Sequence, residues 1–107
     1  MTLTEREASA AVLKAMGHPV RLGILELLAE SEHTVGQLYE KLGCSQSVMS
    51  HQLGVLRNQG LIEMRRRGTS KHCRLRNRDF LRLFGCLRQH VHCVLKVDPE
   101  SEGGESR

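Results

Sequence analysis

The segment Leu42-Gly43-Cys44-Ser45-Gln46 constrains this chain more than any other. Before it, Thr34 and Gln37 have the spacing of a capping box, and Val35, Leu38, Tyr39 and Leu42 follow at helical intervals. After it, Ser45 is a good N-cap for a second helix that runs to Asn58 or Gln59 and is stopped by Gly60. Glycine closes one helix and serine opens the next, so only about a turn of chain separates them. That is the helix-turn-helix arrangement.

Two further helices are expected upstream. Thr4 with Glu7 forms a capping box for the first, which carries Ala8, Ala11, Val12, Ala15 and Met16 inward and stops at Gly17. His18-Pro19 starts the second with proline at its first position, and Leu22, Ile24, Leu25, Leu27 and Leu28 make it apolar on most sides, as a central helix would be. Beyond Gly60 the period changes. Leu61 to Arg66 and Lys71 to Arg76 read as two short strands joined by Arg67-Gly68-Thr69-Ser70, a basic hairpin. A last helix is expected over residues 78–97, with Asn77 as its cap. The chain has 107 residues and its only aromatic side chains are Tyr39, Phe80 and Phe84, so the core must be aliphatic, which favours helices over a sandwich of strands. The expected fold is mainly α with a small β-hairpin wing: four helices, the hairpin and a fifth helix in one domain over residues 1–97. No internal repeat is found.

Charge is unevenly placed. The formal net charge is +4, yet residues 65–82 hold eight basic residues against one acid, Asp79, while residues 98–107 hold four acids against one base. The second stretch reads as a disordered acidic tail. No apolar run approaches the ~20 residues that cross a bilayer, and no signal peptide opens the chain. A cytoplasmic protein with no membrane partner is expected, its four cysteines (Cys44, Cys73, Cys86, Cys93) reduced thiols.

The helix after Ser45 has two chemically distinct sides. At ~100° per residue, Gln46, Arg57, Ser50, Gly54, Ser47, Asn58 and His51 share one arc, and Val48, Met49, Leu53, Val55 and Leu56 share the other. The polar arc holds no acid. Its amide, hydroxyl, imidazole and guanidinium groups can reach base edges and phosphates in a major groove, and the basic hairpin follows directly. An ordinary solvated face is the alternative for the helix taken alone. Gly54 in the arc would permit close approach to another backbone.

Three stretches, His18-Pro19-Val20-Arg21-Leu22, Ser45 through Leu53, and Leu56-Arg57-Asn58-Gln59-Gly60-Leu61-Ile62, resemble the ArsR/SmtB family of bacterial repressors. The similarity spans roughly residues 8–95. It implies a winged helix-turn-helix homodimer that binds double-stranded operator DNA and lets go when an inducer arrives. It also implies that Gln46, Ser47, Ser50 and His51 face bases, and that Arg57, Arg66, Arg67 and Lys71 are backbone or wing contacts. A dimer is physically reasonable, since two helices one DNA turn apart can read a palindrome. Phe80, Phe84, Leu87, Val91 and Val94 recur at spacings of 4, 3, 4 and 3, an apolar seam for pairing through the last helix.

The family's sensor sites can be compared one by one. The Cys-Val-Cys element of the arsenic and cadmium type is replaced by Thr34-Val35-Gly36, and the second-helix cysteine of the persulfide type by Glu26. The last-helix pattern of the zinc, nickel and cobalt type aligns with Asn77, Asp79, His90 and Cys93. Asn77 departs from that pattern, which leaves Asp79, His90 and Cys93 as metal ligands. Asp79 and His90 lie ~16 Å apart along one helix axis, so a shared ion needs an antiparallel partner helix, as the resemblance implies. A donor set including thiolate suits zinc, cobalt, nickel or copper as inducer. Helix cap, first-turn acid and seam-edge histidine are the ordinary roles of the same residues. The competing mechanism is thiol sensing of oxidants or reactive sulfur. Cys86 and Cys93 are too far apart to bridge within one helix. Cys86 sits where it could meet its own copy, and Cys44 precedes the recognition helix, where amide dipoles lower a thiol pKa. Cys73 is expected to face inward beside Leu75, His18 to act as a cap, and His33 and His72 to lie on the surface.

Two other classes compete with a DNA-binding regulator. An enzyme with a cysteine–histidine pair lacks any phosphate loop or hydrolase motif in this sequence. A winged-helix module that binds only protein has no use for the acid-free arc and the basic hairpin.

Overall fold

The computed structural model describes residues 1–99; most of the expected acidic tail, 98–107, lies outside the described residues. The described chain forms two compact units, Met1–Asn77 and the part from Arg78 onward.

In the first unit, α1 spans Leu3–Met16, α2 Pro19–Glu30, α3 Val35–Leu42 and α4 Gln46–Asn58. The capping box of α1 is Thr2 with Glu5, two residues earlier than the expected Thr4 with Glu7. The Thr2 hydroxyl accepts from the Glu5 amide at 3.0 Å, and the Thr2 amide donates to the Glu5 carboxylate at 2.7 Å. Both Thr-x-x-Glu pairs satisfy the pattern, and the earlier one lengthens the helix by half a turn and adds an Arg6 guanidinium bond to the Met1 carbonyl. His18 caps α2 as expected, its Nδ1 accepting from the Val20 amide at 3.1 Å, with Pro19 in the first turn. Thr34 and Gln37 close the box on α3. Gly43 then turns the chain with φ +68°, which lets the amides of Gly43 and Cys44 both donate to the Tyr39 carbonyl. Ser45 caps α4 through the Val48 amide. At Gly23 of α2 a methyl group would meet the Leu42 side-chain tip of α3 at 2.8 Å, so a larger residue there would have to displace that leucine.

The three-stranded antiparallel sheet has the order β1 (His33–Thr34), β3 (Ser70–Leu75), β2 (Ile62–Arg67). β2 and β3 form the expected hairpin with a tighter turn: Arg67 pairs with Ser70, leaving only Gly68-Thr69 as the loop. Gly68 takes φ +64° at the first loop position, as a type II′ turn requires. β1 was not expected, because two residues carry no readable period. Its pairing with Cys73 and His72 ties the wing to the helical body. It also buries His33, read from the sequence as a surface residue and here only 4% exposed. The His33 ring bridges the Ser31 carbonyl, 2.8 Å from Nδ1, and the Lys41 ammonium, 3.1 Å from Nε2.

The core of this unit is aliphatic, as the composition demands. Ile24, Leu25 and Leu28 of α2 and Leu38 of α3 are fully buried, as are Met49, Leu53 and Leu56 of α4 and Ile62 and Cys73 of the sheet. Each such side chain is worth roughly 1.5–3 kcal/mol relative to exposure.

In the second unit a 3-10 turn, Asp79–Leu81, leads into α5, Arg82–Cys93. This is shorter than the 78–97 expected at both ends. Arg78 and the 3-10 turn take up the first residues, and Asn77 does not cap α5. At the other end Lys96 adopts φ +62°, and the Val97 amide reaches back to the Val91 carbonyl at 3.0 Å. α5 has already closed at Val94, whose amide donates to the His90 carbonyl, so this left-handed turn lies past the helix end. The apolar seam is therefore discontinuous: Phe84, Leu87 and Val91 lie on α5, Phe80 on the preceding turn and Val94 just past its end. Phe80 and Phe84 meet edge to face, with ring centres 6.3 Å apart. No helix among the described residues is long and apolar enough to cross a membrane.

Candidate nucleic-acid interface

The packing of α4 decides what it can present. Gln52 and the apolar residues Met49, Leu53 and Leu56 are buried. Gln52 survives burial because its side-chain carbonyl accepts from the Arg21 guanidinium at 2.6 Å, and the same Arg21 donates to the Ala15 carbonyl at the end of α1. α4 is thus locked in rotation by one arginine that joins three helices. The sequence reading missed this pair; a glutamine on the apolar side of the wheel was the available signal.

With that face fixed, Gln46, Ser47, Ser50, His51 and Arg57 are all exposed. Gln46, Ser50, Gly54 and Arg57 form one wall of a groove of about 460 Å³. Met64, Arg66, Thr69 and Lys71 of the hairpin form the other wall, with Val35 and Leu53 between. The groove holds three cations, from Arg57, Arg66 and Lys71, and no acid among its lining residues. Gly54 meets nothing within 4 Å, so it keeps the α4 wall low and makes no close backbone contact within the chain. Ser47 and His51 stand on the exposed flank of α4, outside the groove. Thr69 is an addition that the strand pattern alone did not single out.

Alternation along the hairpin splits its charge between two faces. Arg66 and Lys71, paired in register, face the groove. Arg65, Arg67 and Arg74 fall on the opposite face with Glu63, His72 and Glu32. There Arg74 bonds Glu63 at 3.0 Å and approaches Glu32 at 3.8 Å, and Arg67 approaches Glu32 at 3.9 Å. Arg67, expected beside Arg66 as a wing contact, therefore points away from the α4 groove toward an acid. One further residue departs from its expected side: Val48, grouped with the apolar arc, is 41% exposed.

The four thiols differ in environment. Cys73 is fully buried, and burial pushes its pKa up to about 11 against a smaller opposing pull from Lys71. Cys44 is half-buried, and Cys86 and Cys93 are exposed. Among the described residues, no three His, Cys, Asp or Glu side chains are brought together to hold a metal ion, so Asp79, His90 and Cys93 are not assembled into a site by one copy of the chain. Thr34-Val35-Gly36 is occupied in capping and opening α3, and Glu26 is exposed on α2.

Comparison with known proteins agrees with this geometry. Residues 18–64, from the cap of α2 into β2, match the family described as bacterial regulatory protein, arsR family. The biofilm growth-associated repressor of Agrobacterium fabrum is 40% identical over 78 residues, covering 73% of this chain and 67% of that protein. Its namesake from Xylella fastidiosa is 47% identical over 57 residues, which is 53% of this chain but only half the length of that repressor. The solution structure of a homodimeric winged helix-turn-helix DNA-binding domain from Mycobacterium bovis superposes with a TM-score of 0.74 at 32% identity, covering 83% of this chain and 86% of that one. Fold, helix-turn-helix register and sequence agree: this chain belongs to the ArsR family of winged helix-turn-helix bacterial regulatory proteins.

Proposed function

We propose that the chain is a transcriptional repressor that binds a palindromic operator as a homodimer and is released by an inducer sensed at cysteine or histidine residues. The observation that carries the DNA reading is the acid-free groove shared by α4 and the hairpin, with Arg57, Arg66 and Lys71 on its walls. In this reading the first turns of α4 enter the major groove. Gln46, Ser47, Ser50 and His51 then meet base edges, while the three cations neutralise phosphates on either side. The repressor names of the relatives support the direction of control. A protein-binding module is the reading this excludes if DNA binding is found.

Footprinting on the region upstream of the gene tests it. A protected palindrome with half-sites about one helical turn apart is expected. No protection, or binding indifferent to salt, would contradict it.

For the inducer, a transition-metal ion shared between copies is the first reading. Asp79 of one copy with His90 and Cys93 of the other would supply carboxylate, imidazole and thiolate, a set suited to zinc, cobalt, nickel or copper. Thiol modification is the second reading, favoured by the exposure of Cys86 and Cys93 and by the position of Cys44 beside the α4 cap. Single replacements of Cys44, Asp79, Cys86, His90 and Cys93, each tested for operator release by metal ions, peroxide and polysulfide, separate the two. Loss of metal response in the Asp79, His90 and Cys93 variants together supports the ion. Loss of peroxide or polysulfide response in a cysteine variant alone supports the thiol.

A further inference from the structure

Among the described residues, Val48 is the one large apolar side chain that α4 leaves exposed, at 41%. It lies in the first turn of the helix, and its backbone amide is pinned at 3.1 Å by the Ser45 hydroxyl. Exposed Ser47 precedes it and exposed His51 follows one turn on. Valine is a poorer helix former than alanine, and here burial returns little for that cost. A β-branched side chain in a helix holds one dominant rotamer, so its two methyl groups are fixed in space before any ligand arrives. Ser47 and His51 on this flank offer hydrogen bonds; Val48 offers only an apolar surface. The apolar feature on base edges in the major groove is the 5-methyl group of thymine.

We propose that Val48 reads a thymine by packing against its 5-methyl group, which makes it a specificity determinant beside the hydrogen-bonding residues of α4. The assignment rests on the reading of α4 as the DNA-entering helix and adds what that reading lacks, a preference for thymine at one position of each half-site.

The test starts from duplexes selected by the purified chain out of a random-sequence library. Each thymine is then replaced in turn by uracil, which removes only the methyl group, and binding is measured for the parent and for Val48→Ala. Circular dichroism checks that the exposed substitution leaves the fold intact. The expected result is one thymine per half-site whose replacement weakens the parent about threefold to tenfold, the size of one buried methyl group. Val48→Ala should bind the thymine duplex more weakly by a similar factor and be indifferent to uracil at that position. A parent indifferent at every thymine, or a variant that keeps the full uracil penalty, would overturn the assignment while leaving the DNA reading intact. Failure to select any duplex would overturn both.

Discussion

Cys73 shows how far one residue could be read in advance. Its alternation with Leu75 places it inward, and the structure buries it completely, opposite His33 in β1 and Met64 in β2. His33 was misplaced for the complementary reason: the two-residue strand that buries it has no pattern of its own. Val48 was misplaced because a helical wheel gives angles but not the edge of the core, and that edge is set by the Arg21–Gln52 bond. The raised pKa of Cys73 yields a prediction. Between the ordinary thiol value of 9.0 and about 11, the unfolded chain loses this proton while the folded chain keeps it. Stability contributed by the neutral buried thiol is therefore full below pH 9 and is lost as the pH climbs through 11, by roughly 3 kcal/mol in total. Urea denaturation across this range should show a steeper decline for the parent than for Cys73→Ala, whatever the cavity cost of that variant at pH 7. Equal slopes would mean the thiol is not sequestered.

At the scale of elements, capping chemistry was the most legible part of the chain. His18, Thr34 with Gln37, Ser45 and Gly43 perform the roles their types imply, and they set the helix-turn-helix register that places α4. Helix lengths were less legible where signals were duplicated or missing. Two Thr-x-x-Glu pairs overlap at the start of α1, and α5 stops at Cys93 with Val94 as its cap, where neither residue type signals an end; the left-handed turn at Lys96 follows. An L-residue with a side chain in the left-handed region costs roughly 1–2 kcal/mol, which glycine avoids. Lys96→Gly should therefore stabilise the turn that follows α5 by about 1 kcal/mol, seen as slower exchange of the Val97 amide, which bonds the Val91 carbonyl across it. Faster exchange there would show that the lysine side chain itself holds the turn. The seam is also an element-scale feature, now divided between the 3-10 turn, α5 and the residue after it. Leu87, exposed near the middle of α5, is its most direct probe. Leu87→Glu should give monomers by light scattering and lower operator affinity at least tenfold. An unchanged dimer mass would place the pairing surface elsewhere.

Across the whole molecule, the basic stretch at 65–82 proved more divided than its composition suggests. The sequence lists its cations, but only the register of β2 against β3 assigns Arg66 and Lys71 to the α4 groove and gives Arg67 and Arg74 carboxylate neighbours on the other face. That register depends on a two-residue turn, and Glu32 is distant in sequence from the arginines it meets, so neither could be read from charge runs. Sensor chemistry was the least legible part, because the ligand set inferred from the resemblance spans two copies of the chain. The central claim is that α4 and one face of the hairpin form the DNA surface. The salt dependence of operator binding tests it most directly, measured for the parent, Arg66→Ala, Lys71→Ala and Arg67→Ala. Each lost phosphate contact should lower the slope of log K against log salt by about 0.9, so a substitution carried by both protomers of the proposed homodimer should lower it by about 1.8. Arg66→Ala and Lys71→Ala should each show that decrease, and Arg67→Ala a slope close to the parent's. Parental slopes for the first two variants, or a larger loss for Arg67→Ala than for either, would contradict it.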